Sequence, residues 1–236
     1  MKILALDSTA VAASVALCED DALLAEYTLQ NGNTHSQTLL PMVESILDAF
    51  ELSADEIDLF AASNGPGSFT GVRIGAATLK GLAFGTQKPC IGVSTLEALA
   101  ENLSHLDGLI CPVMNARRRQ VYTALFRAEN GTLTRLLPDD ALAITELDEI
   151  LGAYDEPVVL VGDGYEITEP LLTHPIRSIP ARLRVQSAYS VAQVARRAYL
   201  NGVRTTDVEM VPTYLRPSQA ERERNERLQK EQTQSK

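Results

Sequence analysis

The alternation of hydrophobic and polar positions predicts three consecutive β-strands at the start of the chain. Short apolar runs cover residues 2–7, 12–18 and 22–29, and three acidic residues typical of a turn separate the last two. Over residues 36–50 the period changes to steps of three and four, which predicts an amphipathic helix. We expect Pro41 to be tolerated in this helix only if it lies near the first turn.

Strands and helices alternate in the rest of the first half. The pattern predicts a strand over 57–63, a glycine-rich turn over 64–68, a helix over 69–85, a strand over 89–93 and a helix over 95–103. The resulting order is β-β-β-α-β-α-β-α. We assign it to an N-terminal lobe of residues 1–104.

The second half begins with a similar order of elements. Strands are predicted over 109–114, 121–127 and 132–137, then a helix over 145–151, a strand over 158–161 and a helix over 187–200. Three strands precede the helices in both halves, so two duplicated α/β lobes fit better than one doubly wound sheet. We assign residues 105–216 to a C-terminal lobe whose last ten residues pack back on the body, and residues 217–236 to a charged, flexible tail.

Composition and charge narrow the function classes. The chain is 45% hydrophobic and 22% charged, as expected of a globular protein, and its net charge is −10. Binding of nucleic acid by the isolated protein through charge alone is therefore disfavoured. The initial apolar run is too short for a signal peptide and no stretch is apolar enough for a membrane helix, so we expect a cytoplasmic protein that does not bind membranes.

The cysteines and histidines do not form a metal or redox motif. Cys18, Cys90 and Cys111 are scattered through apolar segments without C-x-x-C spacing, which predicts buried reduced thiols. No histidine lies three or four residues from another, so zinc chemistry is disfavoured.

The glycine-rich segment 65–75 is the strongest local feature. It lies between a predicted strand and a predicted helix, where glycines let backbone N–H groups approach a phosphate and the helix N-terminus favours negative charge. It lacks the Gly-Lys-Ser/Thr of a Walker loop. The alternative, which local evidence favours, is a tight turn with Ser68 as the helix cap.

Two further turns are candidates for nucleotide contact. One follows the first strand at Asp7, but no glycine occurs between Ser8 and Ser14, which hinders backbone approach. The other is Gly162-Asp163-Gly164, for which a plain reverse turn is the favoured alternative. The candidates for weak nucleotide or phosphate contact are Asp7, Ser8, Thr9, Gly67, Ser68, Gly162 and Gly164.

The helix after the glycine-rich turn is apolar or small over more than half of its circumference. Glycine destabilises a helix interior, so Gly71 and Gly75 predict the close approach of a neighbouring backbone. That neighbour belongs either to the same chain or to another polypeptide, and the sequence leaves both open.

Arg117, Arg118 and Arg119 form the only concentrated positive charge of the body. They are candidates for contact with a phosphate backbone or an acidic partner. A solvated hairpin corner is the favoured alternative.

The motifs in segments 3–9, 64–75, 115–118, 121–122 and 212–216 together resemble the TsaB (YeaZ) family. Asn-Gly-Pro-Gly-Ser-Phe-Thr-Gly-Val-Arg-Ile-Gly at 64–75 is the most specific of them. The resemblance implies a two-lobed actin-like ATPase fold, shared by sugar kinases and heat-shock chaperones, with duplicated RNase H-like lobes. It also implies a role in threonylcarbamoylation of the adenosine 3′ of the anticodon, in tRNAs that read codons starting with A.

That resemblance implies a subunit without catalytic equipment. The partner would be the threonylcarbamoyl transferase TsaD, joined by the ATPase TsaE, with tRNA bound only within the complex. If the chain touches tRNA there, Arg117, Arg118 and Arg119 are the expected contacts. The transferase carries an H-x-x-x-H metal motif, whereas His35 is followed by Ser-Gln-Thr-Leu without a second histidine. No metal and no intrinsic cofactor are therefore expected here, and ATP, magnesium and the catalytic metal are expected on partner subunits.

The resemblance further implies that the helices over 36–50 and 70–85 form the pairing surface, with the transferase or with a second copy of the chain. The residues expected to contribute are Leu39, Leu40, Val43, Ile46, Leu47, Val72, Gly75, Ala76, Leu79 and Ala83.

Three other function classes stay open at this point. The first is an ATP-dependent kinase on the same fold, which needs a glycine-bearing phosphate turn after Asp7 and tight ATP binding by the isolated protein. The second is a metallopeptidase, which the missing histidine pair disfavours. The third is a structural dimer unconnected with tRNA.

Overall fold

The computed structural model describes residues 1–216, whose strands form two sheets. The first sheet contains β1 (Lys2–Asp7), β2 (Ala13–Glu19), β3 (Ala22–Leu29), β4 (Leu59–Gly65) and β5 (Cys90–Ser94). The second sheet contains β6 (Gly108–Asn115), β7 (Gln120–Glu129), β8 (Thr132–Ala143) and β9 (Val158–Val161). The helices are α1 (His35–Ala49), α2 (Phe69–Ala83), α3 (Thr95–Glu101), α4 (Ile144–Leu151), α5 (Tyr165–Thr168) and α6 (Ala188–Leu200). The predicted tail 217–236 lies outside the described residues.

The two sheets have the same strand order and directions. The first is ordered β3-β2-β1-β4-β5, with β1 antiparallel to β2 and parallel to β4. The second is ordered β8-β7-β6-β9, with β6 antiparallel to β7 and parallel to β9. This repetition confirms the prediction of two duplicated α/β lobes with mixed, RNase H-like sheets.

The second sheet is shorter by one strand. Beyond β9, at the position that β5 occupies in the first sheet, Ile176 makes a single parallel bridge to Val158. The backbone N–H of Val158 donates to Pro175 O, and that of Arg177 donates to Val158 O. The looser order of elements in the second half of the sequence therefore corresponds to a fifth strand reduced to one bridge.

The helices form layers on both sides of each sheet. Helices α1 and α2 pack on one face of the first sheet, and α6 packs on its other face. Helix α3 packs mainly on the second sheet, and α4 and α5 cover the opposite face of that sheet. Helices α3 and α6 also contact each other between the two sheets.

This packing corrects the predicted boundary between residues 104 and 105. Leu96, Leu99 and Leu103 precede the boundary in sequence but lie in the core of the second lobe. Val191 and Ala195 follow it but lie against the first sheet. The lobes therefore exchange one helix each, because the apolar face of a helix packs where an uncovered sheet face is available, whatever its place in the sequence.

The segment after α6 packs back on the body, as predicted for residues 207–216, and its contacts are with the first lobe rather than with the C-terminal lobe to which the sequence assigned it. Thr205 exchanges two hydrogen bonds with Cys90 at the edge of the first sheet. Met210 is buried in the core beneath α1 and α2. The N–H of Thr213 then donates to Asn64 O at 2.7 Å.

Two element predictions differ from the structure because of prolines. Pro41 is the seventh residue of α1 rather than a first-turn residue, and it is exposed, so water can replace the helical partner of the Gln37 carbonyl. Strand β8 continues through Pro138 to Ala143 instead of ending near Leu137. Pro138 is tolerated because β8 is an edge strand and its register against β7 shifts at this point.

The prediction of buried reduced thiols is confirmed. All three cysteines are free and buried, and burial raises the pKa of each thiol to about 12. Within residues 1–216, none of the helices is long and apolar enough to cross a membrane.

Candidate functional site at the cleft between the lobes

A cavity of about 460 Å³ lies between the lobes at the carboxyl ends of the parallel strands. Its walls are formed by the β1–β2 turn at 9–11, the β4–α2 turn at 67–70 and the end of β6 at 114–117, together with Tyr122 and Asp163. Strand ends of parallel sheets are the usual place for ligands in α/β folds. This cleft is therefore the candidate site.

Asp7 lies behind the cleft and is fully engaged by its own chain. One carboxylate oxygen accepts hydrogen bonds from the N–H and the hydroxyl of Thr9, at 2.8 and 2.7 Å. The other accepts from the Ser63 hydroxyl at 2.5 Å. Burial raises the pKa of Asp7, while the hydrogen bonds from Ser63 and Thr9 oppose that change. Asp7 thus fixes the β1–β2 turn and does not line the cleft.

The β1–β2 turn of the same chain packs directly against the glycine-rich turn. Ser68 caps α2 by accepting from the N–H of Gly71 at 3.3 Å, and its own N–H donates to Thr9 O at 2.7 Å. A Cβ added to Gly67 would lie 2.5 Å from Thr9 O, and one added to Gly71 would lie 2.0 Å from Ser8 O. The Ser68-capped turn is confirmed, and two N–H groups that a phosphate would need already have partners.

The glycines of the 162–164 turn also serve internal packing. The N–H of Gly164 donates to Val113 O at 3.0 Å, and a Cβ added to Gly162 would lie 2.3 Å from that oxygen. Asp163 between them faces the cleft and accepts from the N–H of Asn115 at 3.3 Å. Partial burial raises the pKa of Asp163, with a smaller contribution from the charge of Asp7.

The structure therefore separates the seven predicted nucleotide contacts into two groups. Thr9, Gly67 and Ser68 line the cleft. The other four are corrected to structural positions behind the cleft wall, and they are Asp7, Ser8, Gly162 and Gly164. Sequence reasoning missed Asp163 and Tyr122 as cleft residues, although both lie in segments that it had singled out.

Arg117, Arg118 and Arg119 form the turn between β6 and β7 at the edge of the cleft. Their φ angles of 64°, 56° and 58° place three consecutive residues in the left-handed region. The side chains are exposed, and Arg117 lines the cleft. The hairpin corner is confirmed in position, and its backbone is held by a hydrogen bond from the Arg117 N–H to Asn115 Oδ1 at 2.8 Å.

Comparisons with known proteins identify the family. A family model described as TsaD, tRNA N6-adenosine threonylcarbamoyltransferase, matches residues 23–223. The tRNA threonylcarbamoyladenosine biosynthesis protein TsaB of Bacillus subtilis is 37% identical over 172 residues, covering 73% of this chain and 75% of the relative. The chain belongs to the TsaB (YeaZ) family.

Further relatives agree with this assignment. Escherichia coli TsaB is 42% identical over 134 residues, covering 56% of this chain and 58% of the relative. A crystal structure from Pseudomonas aeruginosa, of a protein described as similar to the peptidase YeaZ, matches with a TM-score of 0.81 at 28% identity. That match covers 91% of this chain and 99% of the other. The fold expected of the TsaB family is thus present along nearly the whole described chain.

The pairing surface expected from the TsaB family needs correction at the level of residues. Of the ten residues predicted to form it, only Leu40 has an exposed side chain, with 45% of its surface accessible. The other nine are buried, and seven of them lie in the core of the first lobe because they are on the faces of α1 and α2 that cover the sheet. They are Leu39, Val43, Ile46, Leu47, Val72, Gly75, Ala76, Leu79 and Ala83.

The close neighbour predicted for the glycines of α2 belongs to the same chain. A Cβ added to Gly75 would lie 2.6 Å from Ser8 Oγ, and the Ser8 hydroxyl donates to Gly71 O at 2.9 Å. Gly81 and Gly85 have no atom within 4 Å of an added Cβ. The first half of α2 therefore packs closely against the end of β1 and the turn after it, whereas the last turn of α2 has space for an added Cβ at Gly81.

The region that corresponds to the transferase metal motif does not fit a metal in this chain. His35 Nε2 lies 2.7 Å from the backbone oxygen of Ala10 and is engaged by it. Within the described residues 1–216, no three His, Cys, Asp or Glu side chains are grouped so that they could hold a metal ion. These positions therefore stabilise the β1–β2 turn against α1.

Proposed function

We propose that this chain is a non-catalytic partner subunit in the threonylcarbamoylation of tRNA, which pairs with a TsaD-type transferase and activates it. The observation that carries the proposal is the 37% identity to Bacillus subtilis TsaB across most of both chains. That relative is named as a tRNA threonylcarbamoyladenosine biosynthesis protein. The match to the transferase family model fits a subunit that resembles its catalytic partner.

The absence of a catalytic role is supported by how the chain uses its own polar groups. The Asp7 carboxylate accepts three internal hydrogen bonds, and the N–H groups of Ser68 and Gly71 are also occupied. This arrangement disfavours the kinase alternative, which needs free donors for ATP phosphates. ATP, magnesium and the catalytic metal would then be held by the transferase and the ATPase TsaE, and this chain needs no intrinsic cofactor.

The partner surface would be the outer face of α1 and α2. Exposed apolar side chains occur on α1 at Leu40, with 45% accessibility, and directly after α1 and α2 at Phe50 and Phe84, with 39% and 81%. Exposed apolar side chains on one face are typical of protein interfaces. The same face would serve a second copy of the chain when the transferase is absent, and tRNA would bind only to the assembled complex.

The proposed function is tested by depleting the chain in cells and measuring nucleosides of tRNA by mass spectrometry. We expect threonylcarbamoyladenosine to disappear from tRNAs that read codons starting with A, and to return when the chain is expressed again. Normal levels of the modified nucleoside after depletion would support a structural dimer unconnected with tRNA instead.

A further inference from the structure

Of the thirteen arginines in residues 1–216, four form salt bridges and nine have no carboxylate of these residues within 4.0 Å. The salt bridges include those of Arg127 with Glu156 and Arg197 with Glu101. Five of these nine lie on or beside the segments that line the cleft, and Arg117 lines it directly. We call them the arginine rim, which consists of Arg73, Arg117, Arg118, Arg119 and Arg216.

Short contacts bring the arginine rim together from both lobes. Arg216 Nη1 donates to Ala116 O at 3.1 Å, which places it next to Arg117. Arg73 Nε donates to the Tyr214 hydroxyl at 2.8 Å, and its guanidinium lies 5.5 Å from the centre of that ring. The final segment of the described chain thus connects the arginine of α2 to the arginines of the β6–β7 turn.

An aromatic pair lies within the rim. The rings of Phe69 and Tyr214 are stacked, with centres 4.5 Å apart and planes 8° from parallel. Tyr214 keeps 41% of its surface accessible, so part of this pair faces solvent beside the cations. Exposed aromatic rings next to arginines are typical of surfaces that stack unpaired bases.

The turn of Arg117, Arg118 and Arg119 presents these side chains to solvent on a fixed backbone. All three residues have positive φ, which is unfavourable for residues other than glycine. Hydrogen bonds from Gln120 N to Arg117 O and from Ile144 N to Arg119 O hold the turn in place. These three cations have no carboxylate of residues 1–216 within 4.0 Å, and the chain has a net charge of −10, so a turn held so firmly is suited to an anionic partner.

We propose that the arginine rim binds the phosphate backbone of tRNA, with an unpaired base against the Phe69–Tyr214 pair. The inference rests on the proposed function, because tRNA is the RNA that the complex would hold. Guanidinium groups bind phosphates through paired hydrogen bonds. Asp163 also lines the cleft, and its carboxylate would repel phosphates there, so the backbone would follow the arginines of the rim.

The charge contribution is tested in the assembled complex of this chain, the transferase and the ATPase. Binding of labelled tRNA is measured at a series of salt concentrations. The double variant Arg118→Gln with Arg119→Gln removes two charges while keeping side chains of similar size at positive φ. We expect roughly ten- to twentyfold weaker binding near physiological salt, and a slope of log affinity against log salt that is smaller by about 1.5.

Matched variants separate charge, stacking and folding. Arg182→Gln removes an exposed charge outside the rim and is expected to leave affinity and slope unchanged. Tyr214→Leu is expected to weaken binding about tenfold with little change in slope, and Tyr214→Phe to restore most of it, because the stacking ring returns. Thermal unfolding of each variant checks that the fold is retained.

The outcomes distinguish this inference from the proposed function. Equal affinity and slope for the double variant and Arg182→Gln would overturn the phosphate contact. Loss of transferase binding by the double variant would overturn it too, because weaker tRNA binding would then follow from loss of assembly, and it would assign the rim to an acidic surface of the transferase. If the unaltered chain is not needed for modification, the proposed function fails; if it is needed while rim variants bind tRNA normally, only the present inference fails.

Discussion

Asp7 has the position expected of a ligand-binding residue, but its carboxylate is hydrogen-bonded within the chain itself. A carboxylate at the end of a first strand is a candidate for nucleotide contact, and the sequence alone leaves that role open. In the structure, Thr9 and Ser63 occupy both of its oxygens, and the residue is 1% exposed. Its role is to hold the β1–β2 turn in place, and that turn packs against the glycine-rich segment.

Substitution of Asp7 tests this role through stability. Its raised pKa means that the native state favours the protonated carboxyl, so the free energy of unfolding falls as pH rises from 3.8 through the raised pKa. Asp7→Asn can still accept from Thr9 and can donate to Ser63. We expect it to be at least as stable as the unaltered chain at pH 7, and less dependent on pH, in denaturant unfolding at several pH values.

Asp7→Ala is the matched variant. It leaves the Thr9 and Ser63 donors buried without an acceptor, which costs about 2–4 kcal/mol of unfolding free energy. If Asp7→Asn were as unstable at pH 7 as Asp7→Ala, the ionised carboxylate itself would be required, contrary to this account.

The glycines of α2 give a second prediction at the scale of residues. Gly71→Ala places a Cβ 2.0 Å from Ser8 O, so the two turns must separate, and we expect a loss of about 1–3 kcal/mol. Gly81→Ala meets no atom within 4 Å and should gain about 0.5–1 kcal/mol, because alanine favours the helix. Thermal unfolding measures both. Equal effects of the two substitutions would show that helix propensity, rather than the close approach of Ser8 to Gly71, determines the change in unfolding free energy.

The period of apolar residues in α1 and α2 predicts their buried faces but not a partner surface. The residues that recur at helical spacing are those that cover the sheet, such as Val43 and Leu79. A surface for a partner must lie on the opposite face, where the pattern is polar with isolated apolar side chains. The helices were thus predicted well, whereas the interface residues could not be, because exposure depends on how the helix is rotated against the sheet.

The outer face of these helices can be tested with charges. The variant Leu40→Asp with Phe84→Asp alters two exposed side chains and should fold normally, yet lower transferase capture in a pull-down at least tenfold. Leu200→Asp is the control, because Leu200 is 63% exposed at the end of α6, on the other face of the first sheet. Undiminished capture by the helix variant, or equal loss in the control, would contradict the assignment.

At the scale of the whole molecule, the sequence predicts the order of elements but not how the lobes share them. The strand order repeats as expected, since each run of strands carries its own pattern. The exchange of α3 and α6 was not predictable, because local periodicity does not say which sheet a helix covers. The packing of the glycine-rich turn was not predictable either, because Ser8 and Gly71, which are in contact, are 63 residues apart in sequence.

The helix exchange predicts that residues 1–104 do not fold alone. Without α6, one face of the first sheet would expose Ile3, Ala5 and Leu59 to water. We expect the fragment to show no cooperative thermal unfolding by circular dichroism, whereas residues 1–216 unfold cooperatively. A cooperative transition of the short fragment would show that the lobes are independent.

The net charge of −10 is consistent with a chain that acts on tRNA through a complex rather than alone. The acidic body disfavours binding of tRNA by this chain alone. The arginine rim concentrates positive charge at one place, and the surface of an assembled partner could extend that positive charge. Under the proposed function, activity belongs to the assembly, and the account depends on this chain being necessary within it.

Reconstitution of tRNA threonylcarbamoylation from purified transferase and ATPase, with and without this chain, tests that claim most directly. We predict modified tRNA only when this chain is present, and none when it is incubated with tRNA in the absence of the transferase. Equal rates of modification with and without the chain would contradict the account, as would modification by the chain alone.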